Sequence, residues 1–261
     1  MSTAAHTRVP LFSPAAWLVP LAALVAFVLV ATSGRNLQLF LLLNAVGPAT
    51  SDGFWANITV LGDTVVALAL CLPLWRRRPD LLWALALGGL LATAWVHGLK
   101  PWLDIARPPA VLGDAVHVIG SIHTTRSFPS GHATTGFLVA GLIALGLTSR
   151  FAFAAALLVA LAAAASRSVV GVHWPLDVLG GAFGGWLAAM AGLALAQRFS
   201  APGRSPWVQG LLGLILAGCA VALLAGHDGG YQQAGWFLRG IAVAVLAAAG
   251  VALWRERSPG R

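Results

Sequence analysis

The sequence predicts an all-α membrane protein: a polytopic bundle of six core helices with two more at its C-terminal end. Three observations predict it. Apolar residues fill 59% of the 261 positions and charged residues only 9%, whereas soluble domains carry roughly 25% charged residues. The apolar residues gather in runs of about 20, the length that crosses roughly 30 Å of hydrocarbon at about 1.5 Å per residue. The basic residues, which give a net charge of +8, stand in short clusters between those runs. That is the pattern of membrane loops, not of a nucleic-acid-binding face. So apolar a chain is not disordered. Its two cysteines, Cys71 and Cys219, both lie inside apolar runs. They read as buried thiols and not as a disulfide framework.

Eight spans are expected, at about 15–33, 54–75, 81–99, 132–148, 151–170, 176–197, 207–226 and 236–254. The first has Arg8 upstream and a small-residue stretch at Ala31-Thr32-Ser33, the marks of a signal peptide. Seven further spans and the charge pattern favour an uncleaved helix. Residues 34–53 hold a semi-apolar stretch from Asn36 to Leu41, too short to cross, which reads as an interfacial helix. Within the second span Asp63 follows Gly62. A carboxylate at that depth must face the bundle or a polar cavity, or else cap a helix that starts there. Pro101 is expected to help stop the third span. Residues 100–131 form the longest non-spanning segment, with Lys100, Arg107, Arg126, Asp104, Asp114, His117, His123 and four prolines. Loops of such length are uncommon unless functional or disordered. Ser130, after Pro129, suits the N-cap of the fourth span. Pro175 suits the first position of the sixth. The eleven Trp lie mostly near span ends, as interfacial anchors do. The chain thus divides into a unit of residues 1–200 and two added helices within 201–261.

Basic residues set the orientation. With the N-terminus in the cytoplasm, Arg8, Arg76, Arg77, Arg78, Arg150, Arg198, Arg204, Arg255, Arg257 and Arg261 fall inside. Arg35, Lys100, Arg107, Arg126, Arg167 and Arg239 fall outside. Ten against six favours this topology, and the outer six need a reason.

Three separated segments then meet on the outer side: Lys100 to Pro108, Ser127 to His132, and Ser166-Arg167 with His173 and Asp177. Together they offer cations, histidines, a carboxylate and a hydroxyl. Such a set suits an oxyanion held by several charges and transferred to nitrogen. Lys100 serves as a point charge and Arg107 as a fork. Ser130-Gly131-His132 opens a helix, and a helix N-terminus beside a Gly is an anion site. Asp177, four residues after His173, lies within reach of its ring and would fix the tautomer and stabilise the imidazolium. Taken singly, each piece also has a plain reading: a cap, a snorkelling Arg, an Asp complementing a helix dipole. No compact set of Cys, His and carboxylate ligands stands at metal spacing. His117, His123 and Arg126 could contact a headgroup or diphosphate, but the solvated loop is the favoured reading.

Lys100-x6-Arg107-Pro108, Pro129-Ser130-Gly131-His132 and Ser166-Arg167-x5-His173-x3-Asp177 resemble the tripartite signature of the type 2 phosphatidic acid phosphatase superfamily, the lipid phosphate phosphatases. All three spacings agree, in order, over about residues 54–197. The resemblance implies that His173 is the nucleophile that forms a phosphohistidine. It implies that Asp177 orients His173 and that His132 is the general acid. Lys100, Arg107, Ser130, Gly131 and Arg167 would cradle the phosphate, with no metal or other cofactor. The last two spans extend beyond the six-helix core of that family. The expected function is hydrolysis of a lipid phosphate or diphosphate at the outer face of a bacterial cytoplasmic membrane. Undecaprenyl diphosphate, phosphatidylglycerophosphate, phosphatidic acid and lipid A phosphates all fit, the first leading. The rivals are a phosphotransferase or a vanadate-dependent peroxidase using the same pocket, and a non-enzymatic lipid-phosphate binder or transporter. The multispan body speaks against the peroxidase. The nucleophile–carboxylate pair, which binding alone does not require, speaks against the binder.

Overall fold

The structure, a computed structural model, describes residues 13–147 and 149–257; Arg8 and Arg261, counted above among the inner basic residues, lie outside them. The architecture is an all-helical bundle, with no strand among the described residues. Helix α1 (Pro14–Ser33) ends at a left-handed Gly34. Short α2 (Asn36–Asn44) and α3 (Val46–Ala49) follow. They are more than an interfacial strip. Phe40 of α2 is fully buried against Trp174, with ring centroids 5.0 Å apart, and Asn36 Oδ1 accepts from Leu176 N–H at 3.1 Å. These contacts brace the start of the sixth expected span.

The second expected span is two helices, α4 (Asp52–Thr59) and α5 (Thr64–Cys71), each prolonged by a 3-10 turn and bent by 66° at Asp63. Asp63 caps α5, accepting from Val65 and Val66 N–H at 2.8 and 3.2 Å. Of the two readings of this carboxylate, capping accounts for the bend. Helix α6 (Pro79–Leu103) corrects a second expectation: it runs through Pro101 and stops only at Asp104, in the left-handed region at φ 35°. Proline removes one hydrogen bond, but its fixed φ is itself helical. Lys100 therefore stands in the last turn of α6 and not beyond it.

After short α7 (Pro108–Leu112) come α8 (Gly131–Gly146), α9 (Arg150–Val169), α10 (Pro175–Arg198), short α11 (Ser200–Arg204), α12 (Pro206–Leu224) and α13 (Gly235–Arg257). Among the described residues six helices are long and apolar enough to cross a membrane, and the bent pair would make a seventh. Helix α8 has 16 residues, about 24 Å, and is shorter than the span expected there. It sits among α6, α9 and α10, where protein surrounds it.

Helix α10 is the hub, packing on α8, α6 and α1. Glycines let it do so. A Cβ on Gly181 would stand 2.5 Å from Ser130 O, and one on Gly185 2.2 Å from Thr134 O. Small residues of this kind let helix backbones approach closely. Trp186, 1% exposed, ties the hub to α1 by donating to Ala16 O at 2.8 Å. Helices α12 and α13 pack on each other and on α5. Cys71 and Cys219 are free thiols.

Candidate active site

The three sequence blocks converge at one end of the bundle. The third block is shaped by the turn between α9 and α10. Gly171 takes φ +82°, and a Cβ there would lie 2.5 Å from His117 O, so glycine fits this close, left-handed turn. The chain then folds back, and the N–H groups of Val172 and His173 both reach Arg167 O, at 3.1 and 3.2 Å. Pro175 opens α10 as expected, with Asp177 in its first turn. Asp177 Oδ2 accepts from Trp174 N–H at 2.8 Å and faces His173 Nδ1 at 3.2 Å. One carboxylate thus caps the helix and orients the ring. Both side chains are buried.

The first block meets the other nitrogen of that ring. Arg107 Nη1 lies 3.2 Å from His173 Nε2 and donates to Val172 O at 3.1 Å, while Nε donates to Thr125 O at 2.9 Å. The long segment that carries it is pinned, not free. Arg107 N–H reaches Thr124 O, Ser127 N–H reaches Ile105 O, and Trp174 Nε1 reaches Ala106 O. Asn44 of α2 donates to His117 O and Val169 O and accepts from His117 N–H, stitching this segment to α9.

The second block supplies a helix start. Ser130 is fully buried and caps α8, accepting from Ala133 N–H at 3.5 Å; its own N–H donates to Asp177 O at 3.0 Å. Gly131 and His132 therefore occupy the first turn, where helix N–H groups lack an intrahelical acceptor. His132 Nε2 is buried with no partner among the described residues.

Arg167, 4% exposed, completes the set. Its Nη1 donates to Thr59 Oγ1 and Tyr231 Oη, both at 2.7 Å, while Nε is buried and without a partner among the described residues. His173 is held well below the ordinary histidine range. Burial is the largest cause, followed by the charges of Arg107, Arg167 and Lys100. His123, exposed in the long segment, is lowered by partial burial and then by the charges of the same three cations. His117 is not part of the site: its Nε2 pairs with Asp52 at 2.8 Å.

Three contributors carry no sequence signal of their own. Ser127 Oγ donates to Asp177 Oδ2 at 2.5 Å, and Thr59 and Tyr231 hold Arg167. Ser127 at least stands three residues before Ser130 in a quoted block. Thr59 and Tyr231 are distant in sequence and become visible only through the fold. No group of three or more His, Cys, Asp or Glu side chains gathers as a metal would need among the described residues.

Two histidines, three cations and a helix N-terminus gather around a buried carboxylate at one end of the helical bundle. Residues 79–201 match the profile of the PAP2 superfamily. A protein of Escherichia coli K12 described as a putative undecaprenyl-diphosphatase is 31% identical over 197 residues, covering 67% of this chain and 97% of that one. An undecaprenyl-diphosphatase of Sulfolobus acidocaldarius is 28% identical over 60% of this chain and 77% of its own. The crystal structure of Aquifex aeolicus LpxE superposes with a TM-score of 0.56 at 31% identity, covering 61% of this chain and 94% of that one. The chain belongs to the PAP2 superfamily and is a phosphatase of that type.

Proposed function

We propose that this protein hydrolyses the phosphate or diphosphate ester of a membrane lipid through a phosphohistidine on His173, at the outer face of the cytoplasmic membrane. The observation that carries the reading is the divided environment of the His173 ring. Nδ1 faces the buried Asp177 carboxylate at 3.2 Å, and Nε2 faces Arg107 at 3.2 Å. In that tautomer Nδ1 carries the proton and Nε2 the lone pair, on the side where the cations wait.

The Nε2 lone pair attacks phosphorus, and the bond from phosphorus to the leaving oxygen breaks. His132, whose Nε2 is unpartnered, protonates that oxygen. Water then attacks the phosphohistidine and gives its proton to His132. The P–N bond breaks, and its electron pair returns to Nε2. Lys100, Arg107, Arg167 and the Ser130-Gly131 helix start hold the phosphoryl oxygens. They supply charge stabilisation without a metal ion.

A lipid substrate is supported by the walls. A cavity of about 320 Å³ between α5, α6, α8 and α12 is lined by Leu85, Val96, Leu138, Leu212 and Leu216 and reaches Gly131, beside the phosphate cradle. An apolar tail fits it while the headgroup enters the site. Undecaprenyl diphosphate leads because two relatives carry that substrate in their descriptions. Residues 1–200 form the catalytic unit in this reading, with 201–261 as an added helix pair. Phosphate release by the purified protein across a panel of lipid phosphates, with and without an acceptor lipid, tests the activity. Release only in the presence of an acceptor would make it a phosphotransferase. Labelling of cysteines introduced near His117 and near Arg77, from outside intact cells, tests the orientation. Only the first should react.

A further inference from the structure

The loop between the last two helices enters the cradle. Tyr231 stands between α12 and α13, is 3% exposed, and accepts from Arg167 Nη1 at 2.7 Å; the guanidinium carbon also lies 5.7 Å from its ring centroid. The loop is tied down around it. His227 Nε2 meets Asp63 at 3.1 Å, Ser121 N–H donates to Gly230 O at 3.2 Å, and Gly230 N–H donates to Asp228 Oδ1 at 2.8 Å. Gly120 passes so close that a Cβ would stand 2.7 Å from the Tyr231 ring.

We infer that Tyr231 is a positioning residue: with Thr59 it fixes one nitrogen of Arg167, so that the guanidinium presents its opposite edge to a phosphoryl group. This rests on Arg167 being a phosphate ligand, as proposed above. Two hydroxyls on Nη1 leave Nε, buried and unpartnered, aimed elsewhere. A guanidinium binds an oxyanion best as a planar fork, so its rotation must be fixed. Neutral oxygens do this without cancelling the charge, as a carboxylate partner would. The added helix pair is then part of the binding machinery of the site.

The test uses the full chain in detergent. Tyr231→Phe keeps the ring against Arg167 and Gly120 and removes only the hydroxyl. Its melting temperature should stay within about 2 °C of the parent. Inorganic phosphate binding, measured by calorimetry, should weaken about tenfold, as for a lost hydrogen bond to a charged group. KM for a lipid phosphate should rise by a similar factor, with kcat within about threefold. A loss of folded protein would instead lower apparent kcat and leave KM alone. Thr59→Val, which removes the other hydroxyl, should weaken phosphate comparably and serves if Tyr231→Phe melts early. Unchanged phosphate affinity in the folded variants overturns the assignment. A parent protein that binds phosphate but releases none from any lipid overturns the hydrolase reading instead, and the binding data still decide the role of Tyr231.

Discussion

Among the described residues two histidine–aspartate pairs of nearly equal length have both side chains buried or half-buried, in different regions of the fold. His173 and Asp177 are 3.2 Å apart with side chains 3% and 2% exposed; His227 and Asp63 are 3.1 Å apart at 33% and 15%. The contact is the same, and the surroundings differ. In the first pair Nδ1 faces the carboxylate and Nε2 points at Arg107. In the second Nε2 itself faces the carboxylate, and the aspartate is busy capping α5. If His173 is the nucleophile, as proposed above, its contact with an aspartate is not what makes it one: its second nitrogen faces the cation of Arg107, whereas the His227 ring turns that same nitrogen to the carboxylate. The second pair fastens a loop to a helix start.

Substitutions should separate the two. His173→Ala should lower phosphate release by at least about 10⁴-fold, because in the proposed mechanism its lone pair attacks phosphorus. Asp177→Asn should lower kcat by about 10²–10⁴-fold, as when an orienting carboxylate is lost. A small effect would erase the distinction drawn here, since Asp177 would then be only a cap. His132→Ala should reduce hydrolysis of an alkyl phosphate about 10²-fold or more and of a nitrophenyl phosphate far less, because a good leaving group needs no proton. Equal losses on the two substrates would remove His132 from the acid role.

A pH measurement sharpens the comparison further. Burial, then Arg107, Arg167 and Lys100, push the His173 ring well below 6.5. On acidification the unfolded chain therefore takes up this proton first. The stabilisation is complete above about pH 6.5 and is lost as pH falls toward the folded value. Melting temperatures between pH 8 and 5 should fall below 6.5, and fall less steeply in His173→Gln. The smallest effect belongs to the fastening pairs. His227→Ala and His117→Ala should leave kcat within about threefold and cost no more than about 1 kcal/mol of stability, as partly exposed pairs do. A loss of activity in His227→Ala as large as in Asp177→Asn would show that the second pair also serves chemistry.

What the sequence reveals follows the chain, and what it hides crosses it. Lys100, Arg107, Ser130, His132, Arg167, His173 and Asp177 are legible because each stands at a fixed spacing from a neighbour with related chemistry, near a helix end marked by proline, serine or glycine. The membrane bundle is legible from run length and charge. The bend at Asp63 was half legible: the carboxylate had two readings, and only the N–H groups of Val65 and Val66 choose between them. The continuation of α6 past Pro101 is not legible, because proline disfavours a helix without forbidding it. Thr59 and Tyr231 were invisible. They lie 108 and 64 residues from Arg167, and an isolated hydroxyl in an apolar chain announces nothing about its partner.

The glycine contacts between α10 and α8 make a ruler with no moving parts. The helix that begins next to His173 and the helix that begins at Ser130 touch main chain to main chain at Gly181 and Gly185, and Ser130 N–H is bonded to Asp177 O. The interval between the starts of these two helices is therefore gauged by peptide thickness at Gly181 and Gly185. Two methyl groups, one at each glycine, would reset it. On the function proposed above, that interval stays constant and choice among lipids falls to the rim and the apolar cavity.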